Sequence, residues 1–157
     1  VAIGATRNDA SGNLLADAGH VRVYKYDATK TTAQLTNQSL ANFGPVGWNR
    51  LGGDIDGEAA GDQSGISVSL SADGTIVAIG ANRNDGNGNN SGQVCVYKYN
   101  TNTKTWVQRG GDINGKAAND QSGNSVSLSA DGTIVAFGAF GNNNMTGATR
   151  VYYYVSQ

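Results

Sequence analysis

A long segment of this chain is written twice. The stretch WNRLGGDIDGEAAGDQSGISVSLSADGTIVAIGA from Trp48 returns as WVQRGGDINGKAANDQSGNSVSLSADGTIVAFGA from Trp106, an offset of 58 positions that also joins Asp54 to Asp112, Asp62 to Asp120 and Asp73 to Asp131. A third copy is partial. VAIGATRND at Val1 aligns with VAIGANRND at Val77, and VRVYKY at Val21 aligns with VCVYKY at Val94 and more loosely with RVYYYV at Arg150. Repetition at such a period makes each unit a small supersecondary block that must bury its apolar side against its neighbours.

Within a unit the alternation has period two, and no segment carries a convincing helical period. SVSLSADGTIVAIGA reads as two short strands joined across Ala72, Asp73 and Gly74, residue types that tolerate the positive φ of a tight hairpin. GQVCVYKY is a third strand, with Val94, Val96 and Lys98 on one face and Cys95, Tyr97 and Tyr99 on the other. TWVQRGGDI is a fourth, reached through the polar connection Asn100 to Lys104. Four antiparallel strands per unit of about 58 residues, repeated head to tail, predict an all-β fold of β-propeller blades. The expected division is a partial blade over 1–55, a full blade over 66–113 and a partial blade over 124–157, within one propeller segment. Closed propellers generally take at least four blades, so the chain is expected to be an incomplete propeller or a fragment of a larger one. The start at Val1 and ends that fall inside repeats point the same way; assembly of several chains is the alternative.

Composition agrees with strands and turns. Only 15% of the 157 residues are charged, 23 are Gly, and the formal net charge is −1. That balance offers no basic footprint for phosphates, so no nucleic-acid partner is expected. No run of about eighteen apolar residues occurs, which predicts no membrane insertion, and VAIGATRND has neither a basic leader nor a long apolar stretch. A lone Cys95 excludes an internal disulfide and a cysteine-based zinc site.

At these residues the chain resembles the FG-GAP repeat family, the seven-bladed propeller repeats of integrin α-subunits and of many bacterial and algal surface proteins. The family pattern runs from a Phe-Gly pair through an Asp-Gly hairpin to a strand ending in Gly-Ala-Pro, and then to a GxVYVY strand. Ser64-Gly65 and Ser122-Gly123 stand at the first pair; Gly4-Ala5-Thr6, Gly80-Ala81-Asn82 and Gly138-Ala139-Phe140 stand at the second. Both the Phe and the Pro are replaced, as in a divergent branch. The resemblance implies a non-enzymatic module, secreted or surface-exposed, for protein recognition or adhesion. A structural subunit of a larger assembly and a glycan-binding lectin are the alternatives. Partners would be a protein, further propeller blades, or a glycan. Calcium-binding members carry a run of ligands in the first hairpin. Here that hairpin is only SADGT, with Asp73 or Asp131 as its single carboxylate, too few oxygens for a hard cation. No cofactor is therefore expected, with calcium as the one possibility.

Several residues stand out individually. One rim collects the long polar loops, and there Asn84, Asp85, Asn87 and Asn90, with Asn8 and Asp9 equivalent in the first copy, are candidate partner contacts. The same residue types also serve left-handed turns. GGDIDGEAAGDQSG gathers four carboxylates, but the second copy turns Asp56 into Asn114 and Glu58 into Lys116. The persisting Asp54/Asp112 and Asp62/Asp120 pairs are expected to bond loop N–H groups. Trp48, Trp106 and the recurring tyrosines read as packing between splayed blades, or as sugar platforms. Arg22 and Arg150 at the position of Cys95 suggest a thiol near solvent, with a half-buried inert thiol the other reading. His20 has no recurring carboxylate partner, and no catalytic constellation can be assembled. Tyr26 to Trp48 spans 22 positions where Tyr99 to Trp106 spans 7, and this insertion, with Leu35, Leu40 and Phe43, is a second candidate partner contact.

Overall fold

The computed structural model describes residues 1–9, 15–31 and 44–155. The insertion candidates Leu35, Leu40 and Phe43 lie outside the described residues. Twelve described strands form three antiparallel sheets in chain order. The first holds β1 (Ala2–Ala5), β2 (His20–Tyr26), β3 (Trp48–Arg50) and β4 (Ile55–Asp56); the second holds β5 (Ser67–Leu70), β6 (Ile76–Ala81), β7 (Gln93–Asn100), β8 (Thr105–Gln108) and β9 (Ile113–Asn114); the third holds β10 (Ser122–Leu128), β11 (Ile134–Ala139) and β12 (Ala148–Tyr153). The fold is all-β and propeller-like, each sheet a blade of antiparallel strands, with β3 and β4 both paired to β2 and β8 and β9 both paired to β7. A single helical turn, α1 (Asn142–Met145), is the only helix among the described residues.

The hairpins form where the sequence places Asp-Gly. Asp73 Oδ1 accepts hydrogen bonds from Thr75 N at 2.9 Å and Ser71 Oγ at 2.7 Å, while Gly74 takes φ 72°. Asp131 does the same for Thr133 N and Ser129 Oγ, with Gly132 at φ 70°. The third strand also follows its predicted alternation. The fourth strand departs from prediction, because it is two pieces that both pair with the third. β8 and β9 flank Gly110, which sits at φ 81°, and β3 and β4 flank Gly52 at φ 69°. A left-handed glycine turns the chain out of the ladder for a few residues before it re-pairs.

Alternation sends the two faces of the middle blade to different neighbours. Val77 and Ile79 of β6 join Val21, Val23 and Ile55 of the first blade in one core cluster. Ala78 and Val94, one residue out of phase, join Val135 and Phe137 of the third blade in the other. Two thin apolar layers thus lie between three sheets. Near the inner strands the blades are also hydrogen-bonded: Ser67 Oγ donates to Gly123 O at 2.7 Å, and Leu128 N donates to Ser69 Oγ at 3.0 Å.

Two glycines set how closely blades approach. A methyl group on Gly4 would overlap the carbonyl of Gly65, and one on Gly80 would overlap that of Gly123. These are the two dipeptide markers of the repeat, touching across adjacent blades. Gly138, the third equivalent, faces only Ser125 Oγ at 2.7 Å.

Candidate functional site

The candidate site is the rim built by the loop 82–92 of the middle blade and by the segment 115–121 that leads into the third. Asn84 starts the loop by donating its backbone N–H to Ala81 O at 3.1 Å, and its side-chain Oδ1 accepts from Gly86 N at 2.8 Å. Its Nδ2 donates to Asp62 Oδ2 at 2.9 Å, which also accepts from Ala59 N at 3.0 Å. Asp85 Oδ1 accepts from Asn90 N at 2.7 Å, and Asn90 sits at φ 49°, the left-handed turn foreseen for this residue type. Asn87 Nδ2 reaches across to Gly115 O at 2.8 Å and Lys116 O at 3.1 Å. Main-chain bonds then run in parallel: Asn119 N to Asn89 O, Gln121 N to Asn90 O and Ser122 N to Ser91 O. The first blade repeats the device, with Gln63 N to Asp17 O and Ser64 N to Ala18 O.

The predicted contact residues therefore divide. Asn8, Asp85 and Asn87 are exposed, and Asp9 and Asn90 are half-buried. Asp9 Oδ1 accepts from Asp17 N at 3.0 Å. Asn84 is buried, so it is a strut beneath the loop and not a contact; its side chain is committed to Asp62 and to its own turn. Arg83, Asn89, Lys116 and Asn119 are exposed on the same rim and were missed. A signal for the first was present, since Arg7 holds the equivalent place in ATRND and is also exposed.

Beneath the rim, the recurring aspartates differ in their surroundings. Asp120 is buried and accepts hydrogen bonds from Lys116 N, Ala117 N, Asn142 Nδ2 and the guanidinium of Arg150, the last at 3.1 Å. Burial works to raise its pKa, but the bonds from Asn142, Arg150 and the two backbone amides outweigh it, and the carboxyl is held below the usual range. Asp62 is buried too, and burial, reinforced by nearby Asp85, holds it above that range despite Asn84 and Ala59 N. Strand register explains the difference. Arg150 opposes Phe137 just as Cys95 opposes Ile79 and Arg22 opposes Ile3, so the middle blade has Cys where both neighbours have Arg.

That position also corrects two expectations. Cys95 is buried, not near solvent; burial, with Asp112 and Glu58 beside it, pushes the thiol well up, leaving it neutral. Asp54 and Asp112 do not serve loop N–H groups. Asp54 accepts from Arg22 Nε at 2.6 Å and from Arg50, while Asp112 accepts from Gln108 Nε2 at 2.6 Å and from the Cys95 thiol at 3.5 Å. Both lie at the turn between the pieces of the fourth strand and fasten it to the third. Asp62 and Asp120, in contrast, do bond loop N–H groups. Ligand atoms of His20, Asp54 and Asp56 lie within 4.8 Å of one another, as do those of Glu58, Cys95 and Asp112. Two guanidinium groups already neutralise the first set, which opposes a cation there.

The aromatic residues pack mainly within and between blades. Tyr99 lies 5.3 Å from Trp106 and Tyr26 lies 5.4 Å from Trp48, centroid to centroid. Trp106 Nε1 donates to Leu51 O of the first blade at 2.7 Å, and Arg109 lies 3.8 Å over the ring of Tyr154.

Residues 55–97 match the family model of the FG-GAP repeat. Over that stretch the chain is FG-GAP-like. The matched stretch runs from β4, past Asp62 and the Ser64-Gly65 pair, through the hairpin and the Gly80-Ala81 pair, and across the rim loop to β7. It therefore holds Gly65, Val77 and Ile79 on the middle-blade side of the joint with the first blade, and the loop 82–92 of the rim. No curated protein matches the chain. No described helix of this FG-GAP-like chain is long and apolar enough to cross a membrane.

Proposed function

We propose that this FG-GAP-like chain is a non-enzymatic recognition module, displayed outside the cell or on its surface, that meets a protein partner through the polar rim. One observation carries the reading. The loop 82–92 is tied down by Asn84 to Asp62 and by Asn87 to Gly115 and Lys116, while Arg83, Asp85, Asn89 and Lys116 remain exposed above those ties. A pre-organised loop loses little conformational entropy on binding, and mixed charge among amides suits a polar protein surface. The carboxylates that could serve acid–base chemistry are spent on structure: Asp54 and Asp120 on arginines, Asp62 and Asp112 on amides. The hairpin aspartates are likewise engaged by Ser and Thr, which supports a module working without bound calcium.

A photo-crosslinking side chain placed at Asn89, and in a second preparation at Thr101 on the opposite rim, tests this against extracts of native cell-surface protein. The expected result is a discrete product from the Asn89 probe alone, reduced about tenfold by combining Arg83→Ala, Asp85→Ala and Lys116→Ala. Equal products from both probes, or none from Asn89, would overturn the rim reading. A structural role in a larger assembly is the second reading, favoured by the apolar residues exposed on the two outermost sheet faces.

A further inference from the structure

The two internal joints are built from equivalent residues but differ in how a buried carboxylate is met. Between the middle and third blades, Arg150 Nη2 donates to Asp120 Oδ2 at 3.1 Å and Nη1 to Ser122 Oγ at 2.9 Å. Between the first and middle blades, Asp62, Ser64 and Asn84 take the places of Asp120, Ser122 and Asn142, and Asn84 donates to Asp62 as Asn142 does to Asp120. Cys95 stands at the place of Arg150, and its short side chain turns to Asp112 instead. Where one joint holds a guanidinium, the other has a cavity of about 10 Å³, room for one ion or one water. Asp56, Glu58, Asp62, Ser64 and Gln93 line it beside Cys95, and no Lys, Arg or His is among the lining residues.

Two further observations point to a cation there. Ser64 is 7% exposed, lines the cavity and makes no side-chain hydrogen bond to another described residue, while its equivalent Ser122 accepts from Arg150. Charge has also shifted at the exposed edge, where Glu58 replaces Lys116 and Asp56 replaces Asn114. Buried Gln93 donates Nε2 to Glu58 Oε2 at 3.3 Å and so fixes that carboxylate at the cavity. We propose that the joint between the first and middle blades binds one divalent cation, held by the carboxylates of Asp62 and Glu58 and the hydroxyl of Ser64, where the next joint places the Arg150 guanidinium. Three carboxylates in the lining favour two positive charges over one, and oxygen donors suit a hard ion such as calcium or magnesium, with solvent at the exposed edge completing its shell. The site is separate from the Asp-Gly hairpins. It does not rest on the rim reading, and neither fails with the other.

Calorimetric titration of the chelator-treated 157-residue chain with calcium chloride, and separately with magnesium chloride, at constant ionic strength tests it. One site per chain is expected for at least one of the two ions, with a melting temperature that rises with ion concentration. Cys95→Arg is expected to abolish that binding and to make the melting temperature independent of the ion. Arginine at this place reaches Asp120 in the third blade and Asp54 in the first, and either pose sets a positive charge beside Glu58, whose ligand atom lies within 4.8 Å of that of Cys95. Ser64→Ala and Glu58→Gln are small changes, each expected to weaken the ion about tenfold. They decide the matter if circular dichroism shows Cys95→Arg unfolded. Neither heat nor a thermal shift from either ion in the millimolar range would overturn the proposal. So would unchanged binding in any folded variant, which would place the ion elsewhere, and so would an equal thermal shift from sodium chloride at matched ionic strength.

Discussion

The middle and third blades are nearly the same sequence in two different settings. β6 reads IVAIGA and β11 reads IVAFGA, yet every residue of β6 is buried while β11 alternates between buried and open. The second and third strands of the middle blade meet apolar side chains on both sides; the third blade meets them on one. What the comparison teaches is that the apolar content of a unit such as this one is set for two neighbours, so the same residue can be core or surface according to what stands beside its sheet.

Substitutions at equivalent positions turn that comparison into numbers. The largest contrast is expected between Phe137→Ala, which opens a cavity in the joint between the middle and third blades, and Val151→Ala on the outward face of the third. The first is expected to cost about 3–5 kcal/mol and the second under about 0.5 kcal/mol, read by chemical denaturation at low protein concentration. If the two cost the same, the inter-blade layer is not what holds the chain together.

Next comes the glycine pair. Gly80→Ala drives a methyl into the Gly123 carbonyl, a backbone atom that can yield only if the blades separate, and is expected to cost about 3 kcal/mol. Gly138→Ala meets only the exposed side chain of Ser125, which can rotate away, and is expected to stay within about 0.5 kcal/mol. Equal melting temperatures for the two variants would count against close approach at the marker glycines.

The buried aspartates sharpen the comparison by pH. Asp120→Asn leaves Arg150 as a buried charge without its carboxylate and is expected to cost about 3 kcal/mol at neutral pH. Asp62→Asn keeps an oxygen for Ala59 N and Asn84 and is expected to cost about 1 kcal/mol or less. The depressed pKa of Asp120 contributes stability that is fully present above the unfolded value near about 4 and is lost as pH falls through the lowered value. The raised pKa of Asp62 works the other way: its contribution is present below about 4 and is lost as pH rises through the raised value. Acid titration of unfolding should therefore lose part of its slope below about pH 4 in Asp120→Asn, and Asp62→Asn should relieve a cost above that pH. The smallest effect concerns Cys95. Its neutral, buried thiol is expected to react with a disulfide reagent only after unfolding, and prompt labelling of the native chain would contradict the burial.

Much of this architecture was legible in the residues. The repeat, the Asp-Gly hairpins and the alternation of β7 are local facts, because turn chemistry and the period of two act within a few positions. The rim was legible as a place but not in its parts. Asn84 and Asp85 are neighbours of similar polarity, and nothing in NRND says that the Asn points down at Asp62 while the Asp faces out. Of the two readings of Cys95, the one near solvent fails: Arg22 and Arg150 at its equivalents spoke for solvent, while the inert thiol is the one that holds. In the folded chain those guanidiniums reach Asp54 and Asp120, so an arginine there marks a carboxylate to pair with, half-buried at Asp54 and buried at Asp120, and not an open surface.

The sequence by itself determined the period, the strand order, the hairpins and the all-β character, since each rests on contacts between residues close in the chain. Only the tertiary structure decided that Gly4 touches Gly65 and Gly80 touches Gly123, that the fourth strand breaks at its glycines to re-pair, and that one face of each outer blade is left open. Those outcomes depend on which surfaces approach across about sixty residues of chain, and a local pattern carries no record of the distance between sheets.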